Sequence, residues 1–594
     1  MLLGIIFIFS STLFGVAVSK LLKMKFTLEE RICFSVLIGT SASTILVYLF
    51  SYMQKSLNFI GIVAGTALIT LSSFLLIKWR DIFGGAPLGK DLNFENVAVA
   101  LAGIVAFLAL NLRCVLREEF NSLYSSLFVR GDCSFHVSII NSFVYRNNFP
   151  PQYPVIIDTP MAYPFLVDFL SAILMKTGFD LRSSIIVPNV LFQASTLCLI
   201  SSLAVRIFKR KYVGALSAFL FFFAGNMGIT YAVQDLLARG DFIGWITNLP
   251  TDYSGSGISD LPEIRFGNPV AVMLLPQRAS ALGIGISIIV YILIFYSLKS
   301  QENLRELVAA GIFMGLLSTV HSHSFIAVVI VVFLLVFEFR KSLRFFAAVF
   351  VPAAVLSLPQ ILIVQAHAEG GFMGVTIGWL GINAERIMSL NWSTPLNVLS
   401  SSIQSVLLLV MFWFMNIGVM ILPFIFGFKK SDAAIRSFYA PFLMLFFLGN
   451  FVRFQPWDWD NYKIFIHWYI LTVMVASYGA VKIAELTGLT FKDFRSFAKH
   501  KRLNKQRIKP IFGFATLAII LFLSTATGFL SYVKMFQESY LMWSEADLVF
   551  ADWIRRNTPS ESVFLTSTDY LHPAATIGGR QIVLGYEGWL WSHG

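Results

Sequence analysis

Residues 279–298 read ASALGIGISIIVYILIFYSL, a run of twenty residues without a charged side chain. A helix needs about 20 mainly apolar residues to cross the hydrocarbon core of a bilayer, because each residue advances it by about 1.5 Å. The run follows Pro276-Gln277-Arg278, so a cation stands within the first turns of the predicted span 271–297. This stretch predicts a helix that crosses a membrane.

Similar apolar segments recur along the chain of 594 residues. The predicted spans are 2–22, 32–52, 58–78, 96–116, 183–207, 212–235, 271–297, 306–321, 324–338, 343–365, 396–427, 433–451, 463–483 and 510–532. Apolar residues make up 57% of the chain and charged residues 13%, whereas soluble domains carry roughly 25% charged residues. We therefore expect an all-α polytopic membrane protein with about 13–14 transmembrane helices. Its transmembrane domain would cover 1–534, and a small extracytoplasmic α/β segment would cover 535–594.

The orientation follows from the basic residues, which account for a net charge of +12. Lysine and arginine cluster in alternate connections, around 20–25, 78–90, 209–211, 299–305, 340–344, 429–430 and 492–509. By the positive-inside rule these connections face the cytoplasm. We expect a multi-pass plasma membrane protein with its active site facing outside and membrane lipids as its surroundings. A basic groove of the kind that binds nucleic acid is not evident, so nucleic acid is not an expected partner.

The first long outer loop, 117–182, contains two stretches with helical apolar spacing, 133–146 and 165–177, which we interpret as interfacial helices. Asp132 precedes the first of them, and His136 follows four positions later. One interpretation makes Asp132 an N-cap. The other makes it a catalytic carboxylate, with His136 on the same helix face.

A second polar group lies at 450–463, directly before a predicted span. Asp458 and Asp460 form a D-x-D pair, which is costly near lipid unless it is paired or binds a metal ion. One interpretation is a structural ion-pair cluster in a belt of tryptophans. The other is a site for a divalent cation, Mg²⁺ or Mn²⁺, or for a phosphate. The candidate substrate-binding residues of this loop are Arg453, Trp457, Trp459 and Lys463.

Three more residues are candidates for substrate binding. Arg278, within the first turns of its span, would either clamp a lipid-linked phosphate or extend to the headgroups. His321 and His323 would either bind a metal or form hydrogen bonds at a helix break. The predicted topology puts Asp132, Arg278, both histidines, Asp458 and Lys463 at a similar depth, so we expect them to line one outer cavity.

The C-terminal segment opens with Trp553-Ile554-Arg555-Arg556-Asn557-Thr558-Pro559. This run, the many spans and the outer loop with an aspartate resemble the GT-C membrane glycosyltransferases, which include oligosaccharyltransferase catalytic subunits and protein O-mannosyltransferase-like enzymes. The chain also resembles uncharacterised prokaryotic polytopic membrane proteins in segments such as Asn148–Pro151 and Trp457–Lys463. It departs from the GT-C pattern because four predicted spans precede the loop and a W-W-D-Y-G motif is absent.

The resemblance implies a glycosyltransferase that inverts the sugar centre. It implies a polyprenyl-phosphate-linked sugar donor and a glycan or protein acceptor on the extracytoplasmic face. A transporter or flippase for a lipid-linked or envelope substrate, and a non-catalytic envelope-assembly scaffold, are the alternatives. The chain stops at Gly594 within an aromatic run, which favours either a truncated sequence or a tail that packs on the outer membrane face.

The topology can be tested by labelling single cysteines with a reagent that does not cross membranes. We expect labelling in intact cells at positions within 117–182 and 452–462, and none at position 500, because the basic connection 484–509 would lie in the cytoplasm. Labelling of position 500 from outside would reverse the orientation.

Overall fold

The computed structural model describes residues 1–82, 92–255, 261, 263–299, 304–340, 342–367, 374–376, 378, 401–455, 457–486 and 508–593. The connection 484–509 that carries the strongest basic cluster lies almost wholly outside the described residues, as does the predicted outer loop 366–395. The chain divides into two compact units. The first consists of Met1–Leu199, Met273–Gly371 and Glu538–Gly594, and the second of Ile200–Val272 and Phe372–Gln537.

Helices dominate both units. Up to residue 247 they are α1 (Leu2–Leu21), α2 (Leu28–Phe34), α3 (Thr40–Gln54), α4 (Phe59–Ile82), α5 (Phe94–Cys114), α6 (Arg130–Asn141), α7 (Leu166–Lys176), α8 (Leu181–Phe208), α9 (Lys211–Phe222), α10 (Ile229–Arg239) and α11 (Phe242–Thr247). Then follow α12 (Arg278–Lys299), α13 (Leu304–Val320), α14 (Ser322–Arg340), α15 (Leu343–His367), α16 (Ser401–Ile417), α17 (Ile421–Lys430), α18 (Ala433–Phe451), α19 (Tyr462–Leu486), α20 (Ile508–Gln537), α21 (Glu545–Asn557) and α22 (Glu587–His593). Short π-helical turns cover Ser35–Gly39, Ser142–Arg146 and Val270–Leu274.

Short strands lie in the segments between the helices. They are β1 (Arg117–Glu119), β2 (Ser122–Ser125), β3 (Gly374–Val375), β4 (Val452–Arg453), β5 (Tyr540–Trp543), β6 (Val563–Phe564) and β7 (Gln581–Ile582). In the first unit, β1, β2 and β5 form an antiparallel sheet, so the C-terminal segment pairs with the outer loop. β6 and β7 pair in parallel within that segment, and β3 and β4 form an antiparallel pair in the second unit.

The prediction of an all-α polytopic membrane protein is confirmed. Within the described residues, 12 helices are long and apolar enough to span a bilayer. Two predicted spans differ from that pattern. The segment 306–321 forms the shorter α13, and the segment 212–235 forms α9 and α10 with a break around Gly225 and Gly228. Near the start of α10, a Cβ added to Gly228 would lie 1.8 Å from the Tyr253 carbonyl oxygen, so only glycine fits there.

Three of the candidate spans are buried over more than four fifths of their apolar window. About nine-tenths of the apolar window of α12 and α19 is buried, 89% and 94%, and α8 follows at 83%, whereas α15 reaches only 17%. Helices that expose apolar side chains such as Val351, Val355 and Leu362 face lipid in a membrane. Polar residues on α8 and α12 are therefore inside protein.

The two helices predicted in the outer loop are present as α6 and α7. Almost all of their side chains are buried, including polar ones such as Ser134, Ser138 and Asp168. The polar side chains of the two helices therefore lie inside the first unit.

Helix α1 and the π-helical turn Ser35–Gly39 approach through small residues. A Cβ added to Gly39 would lie 2.1 Å from the Ser11 carbonyl oxygen, and one added to Gly15 would lie 2.5 Å from the Ser35 backbone. Ser11 and Gly15, like Ser35 and Gly39, are four residues apart. Small residues at this spacing allow the backbones of membrane helices to approach closely.

Replacing Gly39 by alanine should therefore destabilise the protein by about 1–3 kcal/mol, because the backbone atoms it meets cannot move aside locally. Thermal unfolding in detergent measures this. Gly61→Ala on α4 is the matched control, since its Cβ would meet only the flexible side chains of Gln54 and Asn58. Equal melting shifts for the two variants would contradict the packing account.

Candidate active site

Asp132 and His136 project from the same face of α6, one turn apart. The helix begins at Arg130, earlier than the predicted residue 133, and its N-cap is Val129 without a side-chain cap bond. Asp132 therefore belongs to the first helical turn, and the N-cap interpretation is wrong. Its half-buried carboxylate lies at the helix end where the backbone dipole favours negative charge.

The imidazole of His136 is held by a carboxylate from the neighbouring helix α7. Nδ1 of His136 lies 2.9 Å from Oδ2 of Asp168, and the two side chains are 3% and 1% exposed. Among the described residues, no hydrogen-bond partner reaches Nε2 of His136. A carboxylate on one ring nitrogen selects the tautomer and leaves the other nitrogen for chemistry.

Asp168 in turn forms a buried ion pair with Arg278 of α12. The Arg278 NH1 nitrogen donates to Oδ1 of Asp168 at 2.6 Å. Its other nitrogens donate to Ser171 Oγ at 2.5 Å and to Asn189 Oδ1 at 3.1 Å. Arg278 is 3% exposed, so it does not extend to the headgroups. All three guanidinium nitrogens contact protein side chains, which leaves little capacity for clamping a phosphate.

A chain of amides continues from Arg278 into the spans. Asn189 donates to Asn111 Oδ1 at 3.3 Å, Asn111 donates to Gln193 Oε1 at 2.8 Å, and Gln193 donates to the Leu274 carbonyl oxygen at 2.6 Å. These side chains come from α5 and α8 and are at most 2% exposed. Buried amides need partners in an apolar environment, so this network fixes α5, α8 and the start of α12 relative to one another.

Aromatic rings and a thiol enclose His136. The Tyr163 ring lies 6.1 Å from the imidazole, and the Phe135 ring lies 5.2 Å from Tyr163 and 5.1 Å from Trp589 of α22. Next to His136 along α6, burial raises the pKa of the Cys133 thiol to about 12. The thiol is therefore neutral and structural at physiological pH.

The C-terminal segment is anchored on this loop by Arg580. Its NH1 nitrogen donates to the Tyr145 carbonyl oxygen at 3.1 Å, and Nε donates to Thr558 Oγ1 at 3.2 Å. The preceding Gly579 adopts φ +66°, and an added Cβ would lie 2.5 Å from the Asn141 carbonyl oxygen. Thr558 belongs to the run Trp553–Pro559 on which the family resemblance depends, so part of that run serves to attach the segment.

His321 lies at the break between α13 and α14. Its Nδ1 is 2.8 Å from Ser324 Oγ, and its Nε2 is 3.3 Å from Ser280 Oγ. The His323 ring centroid is 5.5 Å away. Both nitrogens of His321 thus have hydroxyl partners, which fits the interpretation of hydrogen bonding at a helix break. No group of three or more potential metal ligands occurs among the residues that the structure describes.

The second candidate group lies in the second unit. Lys463 Nζ is 2.9 Å from Asp460 Oδ1, one helical turn earlier, so the predicted ion pair exists. Arg453 lies on β4, and Trp457 precedes the short helical turn Asp458–Asn461. The side chains of Asp458 and Trp459 lie outside the described part of the structure.

The structure thus brings some of the predicted residues together. Asp132 and His136 share a helix face, and His136 and Arg278 meet through Asp168. His321 contacts Ser280, two residues after Arg278, within the same unit. Asp460 and Lys463 belong to the other unit. The expectation that all of these residues line one cavity stays a prediction.

Sequence reasoning missed Asp168, which links His136 to Arg278. A signal was present, because Asp168 is a carboxylate within an apolar helical stretch and Arg278 is a cation at the start of a span. Each charge is costly to bury alone, so each residue predicts a buried partner of opposite charge. Their pairing with each other, 110 positions apart, follows only from the tertiary structure.

No family model and no curated protein sequence matches the chain. Among solved structures, the archaeal oligosaccharyltransferase AglB from Archaeoglobus fulgidus, in complex with an inhibitory peptide and a dolichol-phosphate, is similar with a TM-score of 0.43 and 12% sequence identity. The match covers 82% of this chain and 64% of AglB, so the chain spans less than two thirds of that protein. A similarity of this degree carries no argument about activity.

Arg278→Met should destabilise the protein by about 3–5 kcal/mol, because it leaves the Asp168 carboxylate buried without its cation. The double variant Arg278→Met with Asp168→Leu should recover a large part of that loss, since no charge remains to be desolvated. Thermal unfolding of the single and double variants in detergent measures the coupling. A double variant that loses the sum of both single effects would contradict the ion-pair account.

Proposed function

We propose that the chain is a membrane glycosyltransferase that transfers a sugar from a polyprenyl-phosphate donor to an acceptor on the extracytoplasmic face of the plasma membrane. One observation supports the proposal most: Asp132 is a half-buried carboxylate outside the spans, one helical turn from a histidine that Asp168 orients. A carboxylate next to an oriented histidine is an arrangement suited to proton transfer.

Asp132 is proposed as the general base. The acceptor hydroxyl attacks the anomeric carbon, its O–H bond breaks, and the carboxylate takes the proton. The bond between the anomeric carbon and the phosphate oxygen breaks with its electron pair on the phosphate. The sugar passes through an oxocarbenium-like state, and attack opposite to the leaving group inverts the centre.

A lipid carrier is supported by an apolar groove within the second unit. Its volume is about 510 Å³, and it is lined by side chains of α9, α10, α11 and α20 such as Phe219, Leu236, Trp245 and Phe529. The lining is apolar apart from residues such as Thr525. The hydrocarbon tail of a lipid-linked donor fits such a surface, because burial of apolar area is favourable.

The leaving phosphate gains negative charge, which a cation would stabilise. Lys463 and Arg453 are the proposed side chains for this role, and Trp457 and Trp459 of the same loop are proposed to bind the substrate. A cation held by Asp458 and Asp460 is the alternative; in either case the ion pair between Asp460 and Lys463 would have to open or be shared. No step of the proposed reaction depends on a metal.

Replacing Asp132 by asparagine should lower the rate of transfer by about 10²–10⁴, because an amide cannot take the proton. The purified protein would be supplied with a panel of polyprenyl-phosphate sugars and glycan or peptide acceptors, and released polyprenyl phosphate would be measured by mass spectrometry. Thermal unfolding should be close to that of the wild type, since the carboxylate is half-buried and the substitution conserves its shape.

Asp158→Asn is the matched control, because Asp158 is an exposed aspartate of the same outer loop. It should retain wild-type turnover. Full activity of a folded Asp132→Asn protein would remove Asp132 from this role. Absence of transfer by the wild type from every donor would favour the transporter or scaffold alternatives.

A further inference from the structure

We infer that His136 is the proton acceptor behind Asp132, and that Asp168, which Arg278 holds in place, keeps the hydrogen on Nδ1 and the lone pair on Nε2. The proton transfer to His136 rests on the proposed function, because it needs a reaction that releases a proton. The tautomer of His136 does not depend on that function. Asp168 would be a positioning residue, which acts through His136 and does not touch the substrate.

The depth of the two residues sets the order of proton transfer. Asp132 is half-buried, whereas the His136 side chain is only 3% exposed. A substrate hydroxyl can therefore reach Asp132 but hardly His136. Since the two project from one face of α6, about 5–6 Å apart at their Cβ atoms, a proton taken by Asp132 can pass inward directly or through one water.

The tautomer follows from the contact on Nδ1. An ionised carboxylate accepts hydrogen bonds but cannot donate them, so Nδ1 must carry the hydrogen toward Asp168 Oδ2. In the neutral ring, Nε2 then holds a lone pair. Among the described residues no hydrogen-bond partner occupies it, in contrast to His321, whose nitrogens both contact serine hydroxyls.

Arg278 fixes the carboxylate that holds the His136 ring. It donates to Oδ1 of Asp168 at 2.6 Å, so that Oδ2 stays directed at Nδ1 of His136. Among the described residues, Asp132 and Cys133 lie on the same helix as His136, and Tyr163 lies beside its ring. The thiol is neutral, so Asp132 is the group from which a proton would come.

In the complete step, the acceptor O–H bond breaks and its oxygen bonds to the anomeric carbon. The proton moves to Asp132 and then to Nε2 of His136, and the phosphate leaves with the electron pair. The imidazolium that forms is hydrogen-bonded to Asp168. It returns the proton to water through Asp132, which restores both groups for the next turnover.

Nitrogen-15 NMR of the full-length protein, labelled at its eight histidines, tests the tautomer without any substrate. His136→Asn identifies the His136 signals by their loss. At neutral pH we expect a protonated Nδ1 and an unprotonated Nε2. In Asp168→Asn the amide can donate to Nδ1, so the hydrogen should move to Nε2. A wild-type spectrum with the hydrogen on Nε2 would overturn the inference, whether or not the chain transfers sugars.

Turnover provides the second measurement. Asp168→Asn and His136→Asn should each lower the rate of transfer by about 10²–10⁴. In His136→Asn the side-chain amide can still donate to Asp168, so this variant should fold even if Asp168→Asn does not. Asp158→Asn should keep wild-type turnover. Wild-type activity of a folded His136→Asn protein would overturn the relay while leaving the role of Asp132 intact.

Discussion

The buried ion pair between Asp168 and Arg278 is the interaction on which the candidate site depends. It joins the outer-loop helix α7 to α12, whose apolar window is 89% buried. The two side chains are 1% and 3% exposed, and their attraction offsets the cost of desolvating both charges only when the geometry is good. The hydrogen bonds to Ser171, Asn189 and His136 provide that geometry. Because the loss of either partner would leave a charge in an apolar environment, the pair fixes the position of α7 and, through His136, of α6.

The C-terminal segment belongs to the same unit and packs on the outer loop. β5 pairs with β2, Arg580 donates to the Tyr145 carbonyl oxygen, and Trp589 packs on Phe135. These contacts bury α6 beneath the segment and leave Asp132, in the first turn, half-exposed. The described part of the tail thus packs on the outer loop, and its position relative to the membrane face stays a prediction.

Much of the fold was predictable because a helix that crosses the hydrocarbon core must be long and mainly apolar. Spans such as α12 are long uncharged runs, and the helices of the outer loop followed from apolar spacing. The break between α9 and α10 was not predicted, and the approach of the Tyr253 backbone to Gly228 near it is a tertiary contact that no local pattern reveals.

The candidate site was predicted in part. Asp132, His136 and Arg278 stood out as polar residues near lipid, but their relationship depends on Asp168, and on Asn111, Asn189 and Gln193 within the spans. Long-range hydrogen bonds leave no spacing signal in a single sequence. For this reason the partners of Arg278 were predicted wrongly. A phosphate or the headgroups were expected, whereas its partners are protein side chains.

The most direct test of the central claim is an experimental structure of the protein with a non-transferable phosphonate analogue of a polyprenyl-phosphate sugar. The account predicts the sugar beside the first turn of α6, with room for one acceptor hydroxyl at hydrogen-bond distance, about 3 Å, from the Asp132 carboxylate. An analogue bound with its sugar away from α6, and Asp132 open to solvent, would contradict it.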